Sequence, residues 1–169
     1  MESRELLLTA FDNIENAVRR ALDGIDPALL TARVDPDANT IAWLTWHLTR
    51  VQDDHVAEVA GRPQAYTDDG WADRFALPFD AAALGYGFSS AEVGATRISD
   101  PALLLGYHAE VHRRTAAFVS GLSDADLDRI VDERWDPPVT LGVRLVSVVS
   151  DDLQHAGQAA FLRGVLERG

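Results

Sequence analysis

The stretch Ile41-Ala-Trp-Leu-Thr-Trp-His-Leu-Thr-Arg-Val-Gln-Asp-Asp-His-Val-Ala-Glu-Val-Ala60 decides the fold, because its apolar residues recur at helical spacing. Asn39 or Thr40 can cap the start of this stretch, since a short polar side chain accepts hydrogen bonds from the backbone N–H groups of a first turn. Gly61 and Pro63 then end it. The sequence therefore predicts one long helix over residues 41–60.

Three more long helices are predicted on either side of this one. Apolar residues at intervals of three and four run over about residues 6–22, and a glycine and a proline follow them. Proline in the first turn favours a helix over about residues 101–120, and a last helix covers about residues 140–167. Ser123 can cap a further helix of one or two turns. The simplest architecture is all-α, an up-and-down four-helix bundle.

A long, aromatic-rich crossover joins the second and third of these helices, over residues 62–99. Its aromatic residues are Trp71, Phe75, Phe79, Tyr86 and Phe88. Loops longer than about 15 residues are usually functional or disordered, and this aromatic content argues against disorder. We expect an ordered flap over one end of the bundle, with a short helix over residues 89–96. No stretch alternates long enough to predict a strand.

The amino-acid composition excludes several classes of chemistry and of binding partner. The chain has 169 residues, enough for a single domain over residues 1–169 with its own core. It has no cysteine, which excludes a thiol nucleophile and thiolate metal ligands, and all 15 basic residues are arginine, which excludes a Schiff-base lysine. The net charge of −12 argues against nucleic acid or an anionic membrane as a partner. Without a signal peptide or an apolar span, we expect a cytoplasmic protein.

Asp151 and His155 lie four residues apart, on the apolar stripe of the last predicted helix or at its edge. Side chains at this spacing stack on one face of a helix. A carboxylate and an imidazole on a core-facing stripe need partners, because burying an unpaired polar group is costly. The two can satisfy each other through a hydrogen bond, or both can bind a metal ion, and their spacing leaves both interpretations open.

The presence of His47 favours the metal-binding interpretation, because a bundle can bring one ligand from the second helix against two from the last. His55 lies about 12 Å further along the same helix, which favours a contact with the core or the flap over joint ligation. His108 and His112 form a second pair at metal-ligand spacing. They lie beside the apolar stripe of their helix, so we expect residues at the boundary of the core more than a metal site.

The sequence resembles the DinB/YfiT superfamily of bacterial four-helix proteins, and in particular an actinobacterial branch related to the mycothiol-dependent maleylpyruvate isomerase. The resemblance covers almost the whole chain and is carried by residues 41–55, by Pro138-Val-Thr-Leu-Gly142 and by Asp151-Asp-Leu-Gln-His-Ala-Gly-Gln158. It implies a divalent metal, often zinc or nickel, held by a histidine of the second helix and two ligands of the last. Carried onto this chain, the ligands are His47, Asp151 and His155.

This chain departs from the family pattern at two positions. Many relatives have glutamate or histidine where this chain has Asp151, and the shorter aspartate makes Asp152, or a water held by Asp151, an alternative ligand. Many also have a further histidine where Gln158 stands, so we expect a lower metal affinity. Three protein ligands leave positions for water or substrate, as in catalytic metal sites. Asp53, Asp54 and Gln158 are candidates to orient a ligand or to exchange a proton.

These observations favour a metal-dependent enzyme in which the ion lowers the pKa of a thiol. Since the chain has no cysteine, the thiol comes from a small molecule such as mycothiol, as the resemblance implies. The expected reaction is S-transfer to a small electrophilic substrate, or its isomerisation. Trp71, Phe75 and Tyr86 are expected to shield the substrate, and Arg50 or Arg74 to bind a carboxylate.

Two alternative functions stay open. A metal-dependent hydrolase would use the same ion with water as the nucleophile. A bundle with or without metal could instead be an interaction or stress-response module without turnover, and fold alone does not separate these classes. Helix faces left apolar also predict a homodimer.

Overall fold

Four long helices make up most of the structure, a computed structural model that describes residues 2–168. They are α1 (Ser3–Leu22), α3 (Ile41–Ala60), α7 (Pro101–Val119) and α8 (Leu141–Leu166). α8 packs against α1 and α3, and α7 packs against the same two helices. The chain is therefore mostly helical, as predicted. None of the helices in residues 2–168 has both the length and the apolar character that crossing a bilayer requires.

The ends of the long helices follow from the residues that cap them. The Thr40 hydroxyl accepts a hydrogen bond from the Trp43 backbone N–H at 3.0 Å, and Gly61 ends α3 in the left-handed conformation with φ +62°. Asp100 caps α7 and Thr140 caps α8 in the same way as Thr40 caps α3. The predicted boundaries of the four long helices are confirmed to within a few residues.

The segment over residues 62–99, which we call the flap, is ordered as predicted but contains three short helices instead of one. They are α4 (Ala65–Asp68), α5 (Trp71–Phe75) and α6 (Ser90–Ala95). Trp71 and Phe75 pack against Tyr107 of α7, with ring centroids 5.5 and 5.6 Å from that of Tyr107. All three side chains are buried, so the first half of the flap is part of the hydrophobic core.

Several short elements differ from the prediction. α2 (Pro27–Leu30) is a single turn after α1, and the helix predicted after Ser123 is a 3-10 helix over Asp124–Asp128. Strands β1 (Ile130–Asp132) and β2 (Val139–Thr140) pair antiparallel ahead of α8, with Ile130 opposite Thr140. Strands of two or three residues are too short for an alternating pattern to reveal them.

The two histidines of α7 have protein partners. His108 is buried, with 2% of its surface exposed, and is not at the boundary of the core as predicted. Thr49 Oγ1 lies 3.1 Å from His108 Nδ1 and donates its own proton to the Thr45 carbonyl, so His108 Nδ1–H is the donor. His112 Nε2 lies 3.2 Å from Asp12 Oδ1 of α1. Within residues 2–168, neither histidine joins a group of three metal-ligand side chains.

Stability should depend on pH through His108. Burial lowers the pKa of His108 to about 3, against about 6.5 in an unfolded chain. Protonation therefore favours the unfolded state, so a contribution that is complete above about pH 6.5 is lost as the pH falls toward the folded pKa. We expect metal-free His108→Leu protein to lose less unfolding free energy on acidification than the wild type, by up to about 1.4 kcal/mol per pH unit. Urea unfolding at a series of pH values measures this, and parallel curves for the two proteins would contradict it.

Candidate metal centre

Three side chains with metal-ligand chemistry meet between α3 and α8. His47 lies in the second turn of α3, and Asp151 and His155 are one turn apart on α8. One ligand atom from each of them lies within 4.8 Å of the other two. The imidazole rings of His47 and His155 approach to 4.9 Å between centroids. The structure thus brings together the three residues that the sequence singled out.

His47 is held from three directions. Trp43, one turn earlier on α3, stacks on its ring at 4.6 Å, and Tyr86 of the flap contacts the ring edge-on at 5.0 Å. The backbone carbonyl of Leu84 accepts a hydrogen bond from Nδ1–H of His47. Because a carbonyl can only accept, this bond places the imidazole proton on Nδ1. The lone pair of Nε2 is then the one available to a metal ion.

The flap approaches His47 so closely that glycine is required at position 85. Gly85 has φ +101°, a conformation that other residues rarely adopt. A Cβ atom there would lie 2.9 Å from His47 Nδ1 and 3.2 Å from the Trp46 ring. Leu84 and Gly85 were not predicted as part of the site, although the alternation of glycine in Leu84-Gly-Tyr-Gly87 is a signal for a turn.

His155 is oriented in a similar way. Its Nδ1 lies 2.9 Å from Gln158 Oε1, an acceptor, which leaves Nε2 as the nitrogen with a lone pair. That Nε2 lies 3.7 Å from Asp151 Oδ1. Gln158 therefore orients a neighbouring histidine, one of the roles predicted for it. The other carboxylate oxygen of Asp151, Oδ2, is buried and has no hydrogen-bond partner within residues 2–168.

Two imidazole nitrogens and one carboxylate oxygen are a suitable donor set for a divalent ion such as zinc or nickel. Burial lowers the pKa of His47, so its imidazole is neutral at neutral pH, as a metal ligand must be. The buried Asp151 Oδ2 without a partner fits the same interpretation, because an ion offsets the cost of burying an unsatisfied carboxylate oxygen. The residues present therefore fit the metal that the sequence pattern implies.

The group contains Asp151 and not Asp152, which the sequence left as the alternative ligand. Asp152 is one residue further on and therefore about 100° around the helix, where its side chain is completely buried. Neither of its carboxyl oxygens has a hydrogen-bond partner among the residues that the structure describes. Burial and the nearby charge of Asp151 raise the pKa of Asp152 well above its usual range.

Arg50, a predicted carboxylate-binding residue, instead holds the flap. No part of its side chain is exposed, and its guanidinium donates to the backbone carbonyls of Ala81 and Ala83 at 3.1 and 3.3 Å. Both residues lie within three positions of Leu84, whose own carbonyl accepts a hydrogen bond from His47. Arg50 therefore positions the flap over the candidate centre and cannot reach a substrate from solvent.

Asp53 and Asp54 are neighbours on α3 with different surroundings. Asp53 is buried and accepts hydrogen bonds from the backbone N–H groups of Ala65 and Tyr66, so it anchors the start of α4. Asp54 accepts from the Gln64 side chain at 2.6 Å and lines an open cleft. Neither is one of the three grouped side chains, and of the two only Asp54 is accessible to a solute.

Tyr86 is the predicted shielding residue that meets the candidate centre, through its contact with His47. Trp71 and Phe75 lie in the core instead, and Arg74, the other predicted carboxylate-binding residue, lies over the Trp71 ring at 3.8 Å. Burial and neighbouring carboxylates raise the pKa of Tyr86 to about 12. The Tyr86 hydroxyl therefore keeps its proton at neutral pH and can donate a hydrogen bond.

Comparison with known proteins agrees with this fold. The family model described as the DinB superfamily matches residues 10–159. A solved structure, described as the crystal structure of the conserved protein of locus from Enterococcus faecalis, superposes with a TM-score of 0.90 at 24% sequence identity and covers 96% of each chain. Similarity at this identity shows the fold alone. Among curated proteins, no significant match was found.

Proposed function

Since the chain belongs to the DinB superfamily, we propose that His47, Asp151 and His155 hold a divalent metal ion, zinc or nickel, in a small-molecule enzyme. The observation that carries this proposal is the meeting of two imidazoles and a carboxylate from α3 and α8 at one point. Members of this superfamily often bind divalent metals. The fixed histidine tautomers and the unpartnered Asp151 oxygen support the same kind of centre here.

The reacting group that we propose is a thiol from a small molecule. A divalent ion in this position supplies Lewis acidity, which lowers the pKa of a thiol or of water. The chain has no cysteine among its 169 residues, so the thiol is external, and the resemblance to the actinobacterial branch points to mycothiol. The reaction is then S-transfer to a small electrophile, or isomerisation of one.

The residues around the centre prepare it in three ways. Leu84 and Gln158 hold the Nδ1 protons of the two histidines, so both Nε2 lone pairs remain available for one ion. Trp43 covers one face of His47 and the flap approaches its edge, which restricts access of water to that ring. Tyr86 keeps its hydroxyl proton beside the centre and can donate to a substrate oxygen.

Metal analysis followed by a thiol assay tests the proposal. Protein loaded with zinc or nickel and then freed of excess metal should retain about one ion per chain. This protein should conjugate mycothiol to chlorodinitrobenzene, in a reaction that forms a carbon–sulfur bond and releases chloride, and a chelator should abolish the activity. A metal content near zero after loading would contradict the proposed metal site, and with it the proposed function.

The other outcomes of the same assay separate the alternative functions. Metal-loaded protein that hydrolyses an activated ester but ignores thiols is a hydrolase, with water as the nucleophile. Metal-loaded protein without turnover in either assay is a binding or stress-response module. Conjugation that survives complete removal of the metal would mean that the centre is not the source of the activity.

A further inference from the structure

A polar cleft of about 570 Å³ opens between the end of α3 and the start of α8. Its walls are the last turns of α3, the first residues of the flap, and the side chains of Arg134 and Arg144. Its volume falls within the range of roughly 300–1,000 Å³ that is typical of small-molecule sites. The three candidate metal ligands do not line it, so the cleft is a separate feature of the surface.

The cleft and the candidate centre both lie where α3 packs against α8. Asp54 follows His47 by seven residues on α3, and Arg144 precedes Asp151 by seven residues on α8. Seven residues are two helical turns, so the members of each pair share a helix face and are about 10 Å apart along the axis. Because Arg144 Nη1 lies 3.3 Å from His55 Nδ1, the two helices are in contact at the cleft as well as at the centre.

Arg144 is an oriented cation in this cleft. Its Nη2 donates to Asp132 Oδ2 at 3.1 Å, and only 13% of its side chain is exposed. Its Nη1 faces His55, which lines the cleft together with the first residues of the flap. Its Nε is buried and has no partner in the described part of the chain. Nη1 and Nη2 carry four N–H donors, of which one bonds Asp132 and one faces His55, so two are left for a ligand.

We propose that Arg144 binds a carboxylate of a substrate whose other end reaches the candidate metal centre. The claim that the other end of the substrate reacts at the metal centre rests on the proposed function. The claim that Arg144 binds a carboxylate rests only on the geometry of the cleft. Arg62 and Arg134 also line the cleft; Arg134 is 80% exposed and shares the Asp132 carboxylate with Arg144, so one carboxylate stands against these two guanidinium groups. Asp54 and Glu58 line the α3 side, and their charge disfavours a dianion. The cleft therefore suits a single carboxylate better than a phosphate.

Two thiols of equal length provide the test. Mercaptohexanoate spans roughly the two helical turns between the centre and Arg144 and ends in a carboxylate, whereas mercaptohexanol ends in a neutral hydroxyl. In cobalt-loaded protein, binding of either thiol is followed through the sulfur-to-cobalt absorption band. We expect mercaptohexanoate to bind about tenfold more tightly than mercaptohexanol, because its carboxylate accepts charge-assisted hydrogen bonds. Mercaptopropionate is too short and should show no such advantage over mercaptopropanol.

Substitutions at Arg144 assign the effect to this side chain. Arg144→Gln should remove the tenfold advantage, and Arg144→Lys should retain only part of it, because an ammonium group lacks the planar fork of donors. Arg97→Gln removes the same charge from an exposed arginine and should leave the advantage intact. Thermal melting followed by circular dichroism checks that Arg144→Gln, which loses its contact with Asp132, is folded.

A metal-free measurement separates this inference from the proposed function. Hexanoate titrated into metal-free protein should shift the Nε–H resonance of Arg144, and hexanol should not. If neither thiol produces the cobalt band while hexanoate still shifts this resonance, the thiol chemistry is wrong and the carboxylate site is right. Equal binding of the two thiols to wild-type protein, or an Arg144 resonance that hexanoate leaves unmoved, overturns the inference.

Discussion

His155→Ala protein is expected to lose stoichiometric metal binding, with the Kd for zinc rising about 100-fold or more. Structural zinc sites with four ligands bind the ion by about 10–16 kcal/mol, which is roughly 3 kcal/mol per ligand, and about 1.4 kcal/mol corresponds to a factor of ten. His155 supplies one of the two imidazoles in a group of three side chains, so little remains to replace it. Competition with a colorimetric chelator measures the Kd.

Two further variants are compared with His155→Ala, one expected to lose less zinc affinity and one expected to lose none. Gln158→Ala removes only the acceptor that lies 2.9 Å from His155 Nδ1, and partners of this kind typically contribute 10- to 100-fold in affinity. His112→Ala is the matched control, because His112 pairs with Asp12 of α1, is not one of the three grouped side chains and should not affect binding. Equal zinc affinity in wild type and His155→Ala would rule out the proposed centre.

Arg50→Met is expected to lower the free energy of unfolding by about 3–5 kcal/mol. The guanidinium of Arg50 is fully buried, with Nη1 3.7 Å from the buried Asp53 carboxylate, and it donates to Gln64 Oε1 at 2.8 Å as well as to the carbonyls of Ala81 and Ala83. Methionine fills a similar space but leaves these acceptors buried without a donor. For a chain of this length, the melting temperature should fall by roughly 10 °C, which differential scanning calorimetry measures.

The same substitution should weaken metal binding without removing a ligand. The carbonyls that Arg50 holds belong to Ala81 and Ala83, within three positions of Leu84, so loosening them frees the acceptor that orients His47. We expect an affinity loss of about tenfold, at the lower end of such effects. Arg97→Met, the same change at an exposed arginine, should alter neither the melting temperature nor the affinity. A melting temperature of Arg50→Met within about 2 °C of the wild type would show that the flap does not depend on Arg50.

The long helices could be predicted because the signals that begin and end them are local. Thr40 and Gly61 act on backbone groups within one turn of themselves, and the spacing of apolar residues needs no knowledge of the partner helix. The hairpin of Ile130–Asp132 with Val139–Thr140 could not be predicted in this way, since strands of two or three residues are too short to show an alternating pattern of apolar residues. The helices α4 and α5 depend on packing of the flap against α7 and were missed for that reason.

The candidate ligands could be named from the sequence because a four-residue spacing places Asp151 and His155 on one face of a helix, and the family resemblance pointed to His47. The choice between Asp151 and Asp152 needed the structure. Consecutive residues point in directions about 100° apart around the helix axis, and only the packing of α8 shows which of the two side chains faces the core. Packing likewise showed that His108 is buried and not at the boundary of the core.

By itself, the sequence determined that the chain is mostly helical, that it lacks a thiol of its own, and which residues offer metal-ligand chemistry. Only the tertiary structure decided what each polar side chain contacts. The Leu84 carbonyl that orients His47 is 37 residues away in the chain, and His55 and Arg144 are 89 residues apart. Helix formation depends on spacing and caps within a few residues, whereas a side chain's partner depends on which faces of distant helices meet. That difference is why Arg50, expected to bind substrate, is a residue that positions the flap.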